Sequence, residues 1–511
     1  IGAWHAWGML AYRQAEQIAL TSSEEALNLI VQSLDGLSRA VELGEERLGT
    51  QDTLRIISIW FSWGHKAQAQ RAVLQVISRC PMTAWLRVVP QLIARLGTCH
   101  RSIRAILEGL VREIAGHFPH ALIYPLTVTE KSGRDVHRRE AASEILKGIR
   151  EAQPALVDQA SLISNELVRI AILWAEKWTD VLTRTSRMPE RQDCKVVLEC
   201  LQQLYDELEA PTTGDEKLFE SHYGQTLRRA KSALGTEPTA ANAWNFFQQV
   251  YQKISRPARH LQLSSVSPKL ADLKNSVVPV PGLGTASTTV TIAQFQNDIH
   301  VIPSKHKPRR FALKGSDGAE YRFLLKGHED LRQDERVMQL FDLLNTVFRS
   351  DPSCNSLGLR VVRYTAVPLS DNVGILSWLD NSDTLFKLIE ARRNATGVPM
   401  HEECNLIVKR GRLNRIEEYQ GLQKHVRKDL LQFAIDSTPS DEMRRIMWDA
   451  NDTCEAWLGY RATYGRTLAV MSMVGYLLGL GDRHLNNLMI QKEGAIVHID
   501  FGDCFEVAQT R

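Results

Sequence analysis

Apolar residues recur at helical spacing along the first part of the chain. Further amphipathic runs follow at 54–63, 67–78, 85–96 and 102–118, and short breaks such as Cys80-Pro81 separate them. We predict that residues 1–150 form pairs of helices in a helical-repeat region, which serves as architecture and as a docking surface. The first run consists of Trp4, Trp7, Leu10, Tyr12, Ala15 and Ile18.

A second all-helical unit is predicted at 158–257. The pattern indicates two middle helices at 194–208 and 219–233 and a last helix at 242–254, with a plain loop at 211–215. Four helices with short connections are typical of an up-down bundle. The first helix carries an apolar stripe of Leu167, Ile170, Ala171, Trp174 and Trp178.

The periodicity changes in the second half of the chain. Residues 258–295 are rich in Pro, Ser, Thr and Gly, which predicts a linker or an irregular approach segment. Alternation with a period of two then predicts strands at 298–302, 310–314, 320–325, 360–367 and 374–378. After residue 380 the chain is mostly helical, with a charged segment at 409–427 that has the composition of an exposed insertion.

Composition limits the class of protein. The chain has 511 residues, 44% of them hydrophobic and 24% charged, so we expect about three soluble, globular domains. A net charge of +3 gives no general attraction to nucleic acid. Eight scattered cysteines without a Cys-x-x-Cys pair indicate reduced, intracellular thiols and no zinc site. The most apolar run, 468–480, is too short to span a bilayer, and we expect a buried helix there.

The strongest chemical signal lies near the end of the chain. Asp482 and Asn487 are five residues apart, which is the spacing of a base and a metal-binding amide in a kinase catalytic loop, and an Asp-Phe-Gly triplet begins at Asp500. We predict a hairpin of 488–490 and 495–497 that places Asn487 beside Asp500, where two oxygen donors suit a magnesium ion carried by phosphates. Each short motif alone also fits a buried strand pair with incidental acids. Their order and spacing together favour phosphoryl transfer from ATP.

Candidate phosphate-binding residues precede this loop. Lys326 ends a predicted strand, and Glu329 and Asp334 open the next helix. Spacing does not decide which acid pairs with the lysine, and Asp334 is narrowly favoured. No Gly-x-Gly-x-x-Gly is present, so the turn at Ser304 and Lys305 is the better phosphate cradle, although a solvated basic loop is an equal alternative. We expect adenine to stack on Trp378, with Met489 and Ile499 beneath it.

Four segments resemble a known family. They are 326–341, 468–476, 498–507 and 120–128, and they are similar to the phosphatidylinositol-3-kinase-related protein kinases, within these to the target-of-rapamycin (TOR) group. The resemblance covers essentially the whole chain. It implies a multidomain protein with FAT helical repeats at 1–150, an FRB four-helix bundle at 158–257, the approach segment at 258–295, a kinase N-lobe at 296–379 and an incomplete α+β C-lobe at 380–511.

The same resemblance implies a Ser/Thr protein kinase that uses ATP with Mg²⁺ or Mn²⁺ in growth and nutrient signalling. Asp482 would position or deprotonate the substrate hydroxyl, and His484 would stabilise the charge on the transferring phosphate. Asn487 and Asp500 would bind the metal. The implied nucleotide site consists of Ile302, Ser304, Lys305, Leu324, Lys326, Glu329, Asp334, Tyr364, the hinge residues Trp378 and Leu379, Met489 and Ile499.

The resemblance also implies partners. A WD-repeat propeller would dock on the insertion before the catalytic loop, together with scaffold subunits of a TOR complex, at an intracellular, cytoplasmic location with peripheral attachment to endomembranes as an option. In the FRB groove, Glu190 and Gln248 replace expected aromatic residues, so we expect weak or absent binding of a rapamycin–immunophilin complex. The other groove residues are Trp174, Ser186, Trp244 and Tyr251.

Two departures and two alternatives stay open. Leu485-Asn486 stands where the family usually has Pro-Ser, and His484 follows the base instead of preceding it as in other protein kinases. A lipid kinase of the phosphoinositide class shares the catalytic motifs, and a non-catalytic helical scaffold is the alternative from another class. Because the chain starts at Ile1 and stops at Arg511, we expect a piece of a longer protein that is inactive by itself.

Overall fold

The structure is a computed structural model that describes the chain except residues 21, 45–48, 132–134, 237–238, 256–258, 284–288, 440, 506–507 and 509–511. Contacts divide the chain into two compact units. The first consists of Ile1–Glu335 and Tyr364–Trp378, and the second of Arg336–Arg363 and Leu379–Arg511. Each unit is described separately below.

The first unit begins with helices that pack on their neighbours in sequence. Their apolar positions are buried at helical spacing, as Ile103, Leu107, Leu110 and Ile114 are in α7. The predicted helix at 85–96 is two short helices, because Pro90 lacks an N–H and favours the start of a new helix. The helices are α1 (Gly2–Ile18), α2 (Ser23–Leu43), α3 (Thr50–Trp63), α4 (Ala67–Arg79), α5 (Met82–Leu86), α6 (Val89–Ala94), α7 (Arg101–His117), α8 (Pro119–Lys131), α9 (Val136–Ala152) and α10 (Pro154–Ala171).

A helical bundle follows, with its own apolar core around Trp178, Tyr205 and Phe247. The predicted loop at 211–215 instead starts a helix, because Thr213 and Glu216 form a reciprocal capping box. The bundle helices are α11 (Trp174–Ser186), α12 (Cys194–Leu208), α13 (Gly214–Phe219), a π-helical turn (Glu220–Gly224), α14 (Gln225–Thr236) and α15 (Ala241–Ile254).

The first unit ends in a seven-stranded antiparallel sheet of order β1-β3-β4-β5-β7-β6, with β2 paired to β4. The segment 258–295, predicted as a linker, contributes two of these strands and two short helices, because its apolar residues such as Leu270 and Val280 are buried. The elements are β1 (His260–Gln262), α16 (Leu263–Val266), α17 (Pro268–Asp272), β2 (Ile292–Phe295), β3 (Asp298–Val301), β4 (Arg309–Gly315), β5 (Glu320–Gly327), β6 (Ala366–Ser370) and β7 (Val373–Ser377).

The predicted strand at 360–367 is wrong over most of its length, since β6 starts only at Ala366. The reason is local. The side-chain amide of Asn345 bonds both the N–H and the carbonyl of Val361, each at 2.8 Å, and so occupies the groups that a strand partner would use.

The second unit is mainly helical and contains a three-stranded antiparallel sheet of order β10-β9-β8. The predicted insertion at 409–427 is largely helical and packs on a small core of Ile407, Leu430 and Ala434. The elements are α18 (Arg332–Ser350, which starts in the first unit), α19 (Pro352–Ser356), β8 (Ser382–Thr384), α20 (Leu385–Thr396), α21 (Glu402–Gly411), a 3₁₀ turn (Ile416–Gly421), α22 (Lys424–Ser437), α23 (Glu442–Asp449), α24 (Cys454–Leu478), β9 (Leu488–Gln491) and β10 (Ile496–His498).

The apolar run at 468–480 forms the end of α24, but only one face of that helix is buried. Val470, Met471 and Val474 are buried, whereas Tyr476 is 82% exposed and Leu477 is 72% exposed. The expectation of a buried helix therefore holds for one face of it only. Among the residues that the structure describes, no helix is long and apolar enough to cross a membrane.

The two cysteines Cys80 and Cys99 should differ sharply in reactivity. Burial raises the pKa of the Cys80 thiol to about 12, while Cys99 is exposed. Because only the thiolate is nucleophilic, we expect iodoacetamide at pH 8 to alkylate Cys80 about a hundredfold or more slowly than Cys99. Peptide mapping by mass spectrometry measures both rates. Equal rates in the native protein would contradict the structure, and equal rates in urea serve as the control.

Candidate functional site

The loop that follows α24 is closed by its own asparagine. The helix ends at Leu478, and the capping residue Gly479 has a φ of +56°, which is in the left-handed region. Asn487 is buried, and its Nδ2 group donates to the carbonyl of Asp482 at 2.9 Å and lies 3.4 Å from the Asp482 carboxylate. This arrangement holds the carboxylate of Asp482, which is about half exposed, at the surface of the loop.

The predicted hairpin is confirmed. In the β9–β10 pair Leu488 lies opposite His498, and the N–H of Ile499 then donates to the carbonyl of Asn487 at 3.1 Å. The chain therefore reaches Asp500 directly after it has paired with Asn487. Asp500 has a φ of +63°, which is unusual for a residue with a side chain and marks a sharp change of direction at this point.

Arg483 is a member of the site that the sequence analysis missed. Its guanidinium donates to the carbonyls of Gly481 at 2.7 Å, Ile499 at 2.8 Å and Asp500 at 2.5 Å. One side chain thus joins the catalytic loop to the Asp-Phe-Gly segment. The sequence feature that could have identified Arg483 is its position between Asp482 and His484. A long, always charged donor at that position can bond several carbonyls.

His484 stays within the same loop. Its Nδ1 accepts from the N–H of Asn486 at 3.2 Å, so the neutral ring carries its proton on Nε2, which lies 3.9 Å from the carboxylate of Asp482. The ring is about half exposed. A proton donor therefore stands beside the carboxylate proposed as the base.

His498 is a second histidine that the analysis did not assign. Burial, together with the nearby charge of Arg483, lowers its pKa to about 4, so the ring is neutral near pH 7. It occupies the last position of β10, two residues before Asp500. A neutral ring here adds no second positive charge to the loop that Arg483 already crosses.

The donor set of this loop suits magnesium. Because the Nδ2 group of Asn487 is directed to Asp482, the amide oxygen is the atom left to face a cation, and Asp500 supplies a carboxylate. Mg²⁺ prefers one or two such oxygen ligands and completes its shell with water and phosphate. Among the described residues no group of three or more His, Cys, Asp or Glu side chains could hold a metal, so a closed cage is not found there.

A second group of candidate residues lies in the first unit. The Nζ of Lys326 bonds the carboxylate of Glu329 at 2.8 Å, and the lysine side chain is only 13% exposed. Buried Asp334, which the sequence narrowly favoured as the lysine's partner, accepts from the hydroxyl of Tyr364 at 3.2 Å. The structure thus places both acids and Tyr364 in the first unit, and it describes an ion pair of Lys326 with Glu329.

The turn that carries Ser304 and Lys305 joins β3 to β4. The N–H of Ile302 bonds the carbonyl of Pro308 at 2.9 Å, and the N–H of Lys307 bonds the carbonyl of Ser304 at 3.2 Å. The side chains of Ser304 and Lys305 are exposed at the tip. We call residues 303–308 the phosphate loop. The next turn, at 316–319, connects β4 to β5 as a hairpin.

The predicted hinge coincides with the division of the chain. The first unit ends at Trp378, and the second resumes at Leu379. The N–H of Trp378 bonds the carbonyl of Arg322 at 2.8 Å, and the guanidinium of Arg310 lies 5.3 Å from the centre of its indole ring. Leu324 belongs to β5 of the first unit, whereas Met489 in β9 and Ile499 after β10 belong to the second.

The predicted groove of the bundle is present, with four of its six predicted residues. A cavity of about 380 Å³ between α11 and α15 is lined by Ser186, Trp244, Gln248 and Tyr251 together with Leu182, Thr183, Arg187 and Phe247. Trp174 lies in the bundle core, with its ring edge-on to Phe219. Glu190 is exposed in the turn after α11. The prediction that Trp174 and Glu190 line the groove is therefore wrong. Trp174 packs in the core of the bundle, and Glu190 lies beyond the end of α11.

Comparison with protein families gives three matches along the chain. The model described as "Phosphatidylinositol 3- and 4-kinase" matches residues 320–511, and "FKBP12-rapamycin binding domain" matches residues 166–256. Residues 69–168 match "Serine/threonine-protein kinase ATR-like, HEAT repeats". The predicted fold class, helical repeats followed by an FRB bundle and a PI3K-like kinase domain, is confirmed.

Solved structures agree on the fold. The open conformation of CtTel1 superimposes with a TM-score of 0.69 at 17% identity, and the match covers 99% of this chain and 17% of that one. The FAT and kinase domain of CtTel1 gives a TM-score of 0.65 over the same share of this chain and 32% of its own. At this level of identity the likeness concerns the fold alone.

Sequence relatives are more specific. The chain is 38% identical to the serine/threonine-protein kinase mTor of Drosophila melanogaster and 37% identical to tor1 of Schizosaccharomyces pombe, in both cases over 100% of this chain. It is 36% identical to TOR2 of Saccharomyces cerevisiae over 94% of this chain. The chain spans 20–22% of the length of these relatives. Over its whole length the chain is therefore similar to the part of the TOR serine/threonine-protein kinases that carries the FRB and kinase domains.

Proposed function

We propose that this chain carries the catalytic centre of a protein serine/threonine kinase, which transfers the γ-phosphate of ATP to protein hydroxyls in growth and nutrient signalling. The observation that carries the proposal is the closed catalytic loop, in which Asn487 holds Asp482 and pairs with the residue before Asp500. In this loop Asp482 orients or deprotonates the substrate hydroxyl, and His484 stabilises charge on the transferring phosphate. Asn487 and Asp500 hold Mg²⁺ or Mn²⁺, which neutralises phosphate charge when it is bound.

In the first unit, Lys326 binds phosphate and keeps its charge through Glu329, with Asp334 and Tyr364 behind it. Ser304 and Lys305 present a hydroxyl and an ammonium to the same phosphates. We assign the adenine contacts to Trp378 and Leu379 at the hinge. The remaining nucleotide contacts that we propose are Ile302 and Leu324 in the first unit and Met489 and Ile499 in the second.

A lipid kinase is the second candidate, because the family model over residues 320–511 is described as a phosphatidylinositol kinase. The FRB match upstream and the names of the relatives favour protein substrates. A non-catalytic scaffold is disfavoured by the presence of Lys326, Asp482, Asn487 and Asp500 together. We propose a cytoplasmic location for the full-length protein.

Removal of the metal-binding carboxylate should abolish activity. In the full-length protein we expect Asp500→Ala to lower phosphate transfer from radiolabelled ATP to a protein substrate by about a thousandfold, since metal-ion stabilisation of the transition state is lost. Asp452→Ala removes an exposed carboxylate from the same unit and should keep wild-type activity.

The same assay distinguishes the three candidates. Transfer to protein but not to phosphatidylinositol vesicles supports the proposal, and the reverse would establish a lipid kinase. No transfer to either acceptor above the level of a reaction without protein would establish a scaffold. Equal activity of wild type and Asp500→Ala, both well above that level, would remove Asp500 from the site.

The resemblance implies that a WD-repeat subunit docks on the insertion at 409–427, and we propose that its docking surface extends onto the helices that follow, α22 and α23. Large apolar side chains are exposed there, and they include Leu431 at 46%, Ile435 at 47% and Trp448 at 53%. Scaffold subunits of a TOR complex would bind elsewhere on the full-length protein.

Leu431→Lys should weaken co-purification of this subunit by about a hundredfold, because a charge would be buried in the apolar centre of the interface. Gln432→Lys adds the same charge at the neighbouring exposed position and should have little effect. Equal binding by the two variants would exclude this surface.

Binding of a rapamycin–immunophilin complex should be weak, with a Kd above about 1 µM, because Gln248 would lose water contacts under an apolar macrolide. Since Gln248 lines the groove and Glu190 does not, Gln248→Tyr should strengthen binding about tenfold or more, whereas Glu190→Phe should not. Surface plasmon resonance measures the three constants. Nanomolar binding by the wild type would refute the prediction.

A further inference from the structure

Helix α11 belongs to the bundle, but its first two turns contact the sheet segments that carry the proposed phosphate ligands. Glu176 and Asp180 are one turn apart on one face of this helix. Glu176 pairs with Arg309 and Lys307, and the carboxylate of Asp180 lies 3.4 Å from Nε2 of His328. Glu176 thus contacts the end of the phosphate loop, and Asp180 contacts His328, which lies two residues after Lys326.

The pair of Glu176 and Arg309 is buried. The Arg309 side chain is 1% exposed and that of Glu176 is 14% exposed. Arg309 donates through Nη2 to the Glu176 carboxylate and through Nη1 to the carbonyl of Lys307 at 2.7 Å. A buried guanidinium keeps its place only beside an anion, so Glu176 fixes Arg309, and Arg309 fixes the backbone of Lys307.

This backbone position is strained. Lys307 has a φ of +45°, a region that side-chain-bearing residues rarely adopt, and its Nζ lies 4.0 Å from the carboxylate of Glu176. The N–H of Lys307 closes the phosphate loop onto the carbonyl of Ser304. The conformation that presents Ser304 and Lys305 therefore depends on a carboxylate from the bundle.

The end of β5 is held against the same region. A Cβ atom on Gly327 would lie 2.8 Å from the carbonyl oxygen of Ala171 and 3.0 Å from the side chain of Ile172. The residue after Lys326 thus packs directly on the segment that leads into α11. Together with the contact of Asp180 to His328, this approach fixes the strand that carries Lys326.

Glu176 contacts the sheet on the face opposite to the one that carries Lys326. Arg309 pairs across the strands with Leu325, and Arg310 with Leu324, so Arg309 points away from the face that carries Leu324 and Lys326. Glu176 is therefore no ligand of the phosphates. We propose that Glu176 is a positioning residue for ATP, because it holds the phosphate loop through Arg309 and Lys307 in the conformation that binds phosphate. This inference rests on the proposed nucleotide site.

The test compares three variants of the full-length protein by equilibrium binding of Mg·ATP and by steady-state kinetics. Glu176→Gln removes the charge but keeps an oxygen that can accept from the N–H of Leu173, as Glu176 does at 3.2 Å. The second variant adds Arg309→Met, which removes the unpaired buried charge and protects the fold. The control, Glu207→Gln, breaks the pair of Lys177 and Glu207 inside the bundle.

We expect the Kd for Mg·ATP to rise about tenfold in Glu176→Gln and in the double variant, the typical effect of losing one charge-assisted contact. The kcat and the KM for the protein substrate should stay within about threefold of wild type, because the groups that act on the substrate are untouched. Hydrogen exchange at residues 304–307 should become faster in both variants. The control should match the wild type in every measurement.

A wild-type Kd in the double variant would overturn the inference, because the loop would then keep its conformation without either charge. If Glu176→Gln does not fold, the Kd of the double variant alone tests the inference. If the wild type transfers no phosphate above the level of a reaction without protein, the proposed function fails, while the Mg·ATP binding constants still decide the role of Glu176.

Discussion

The geometry of the second unit depends on hydrogen bonds that a few residues make across one short hairpin. Asn487 uses its side chain to hold Asp482 and its backbone to hold Ile499, and Arg483 spans the same gap from the other side by bonding the carbonyls of Ile499 and Asp500. The charge-assisted bonds of the Arg483 guanidinium are each worth about 1.5–3 kcal/mol, and the neutral bonds of Asn487 about 0.5–1.5 kcal/mol. They fix Asp482, Asn487 and Asp500, the proposed base, amide ligand and metal-binding carboxylate, in one loop before any ligand arrives, which is the arrangement that electrostatic catalysis requires.

The first unit uses a buried ion pair for a comparable purpose. Removing one partner from such a pair costs about 3–5 kcal/mol, although replacing both with apolar groups often costs nothing. The ion pair of Glu176 in α11 and Arg309 in β4 therefore adds little to the free energy of unfolding, but it specifies one arrangement of the two elements. Here the arrangement specified is that of the phosphate loop, whose Lys307 adopts a backbone conformation that it would rarely choose alone.

Much of the fold could be predicted from local pattern. The helices of the bundle and the hairpin of β9 and β10 follow from apolar spacing, which depends only on neighbours in sequence. Two of the errors have a common cause. Side chains from elsewhere decided the outcome at 360–365, where Asn345 takes the hydrogen bonds of Val361, and at 258–295, where burial in the first unit turned a Pro- and Ser-rich stretch into strands and short helices.

The features of the candidate site also fall into two groups, those that the sequence determined and those that only the structure revealed. The sequence alone determined the motif residues Asp482, Asn487, Asp500 and Lys326, because their chemistry requires fixed residue types at fixed spacing along the chain. Only the tertiary structure revealed that Arg483 bonds three carbonyls and that Lys326 pairs with Glu329. It also showed that Trp174 and Glu190 do not line the groove and that Glu176 pairs with Arg309. The contacts of Arg483 with Ile499 and of Glu176 with Arg309 join residues 16 and 133 positions apart, and no local pattern specifies such contacts; for Lys326 and Glu329, three positions apart, local spacing left two acids possible.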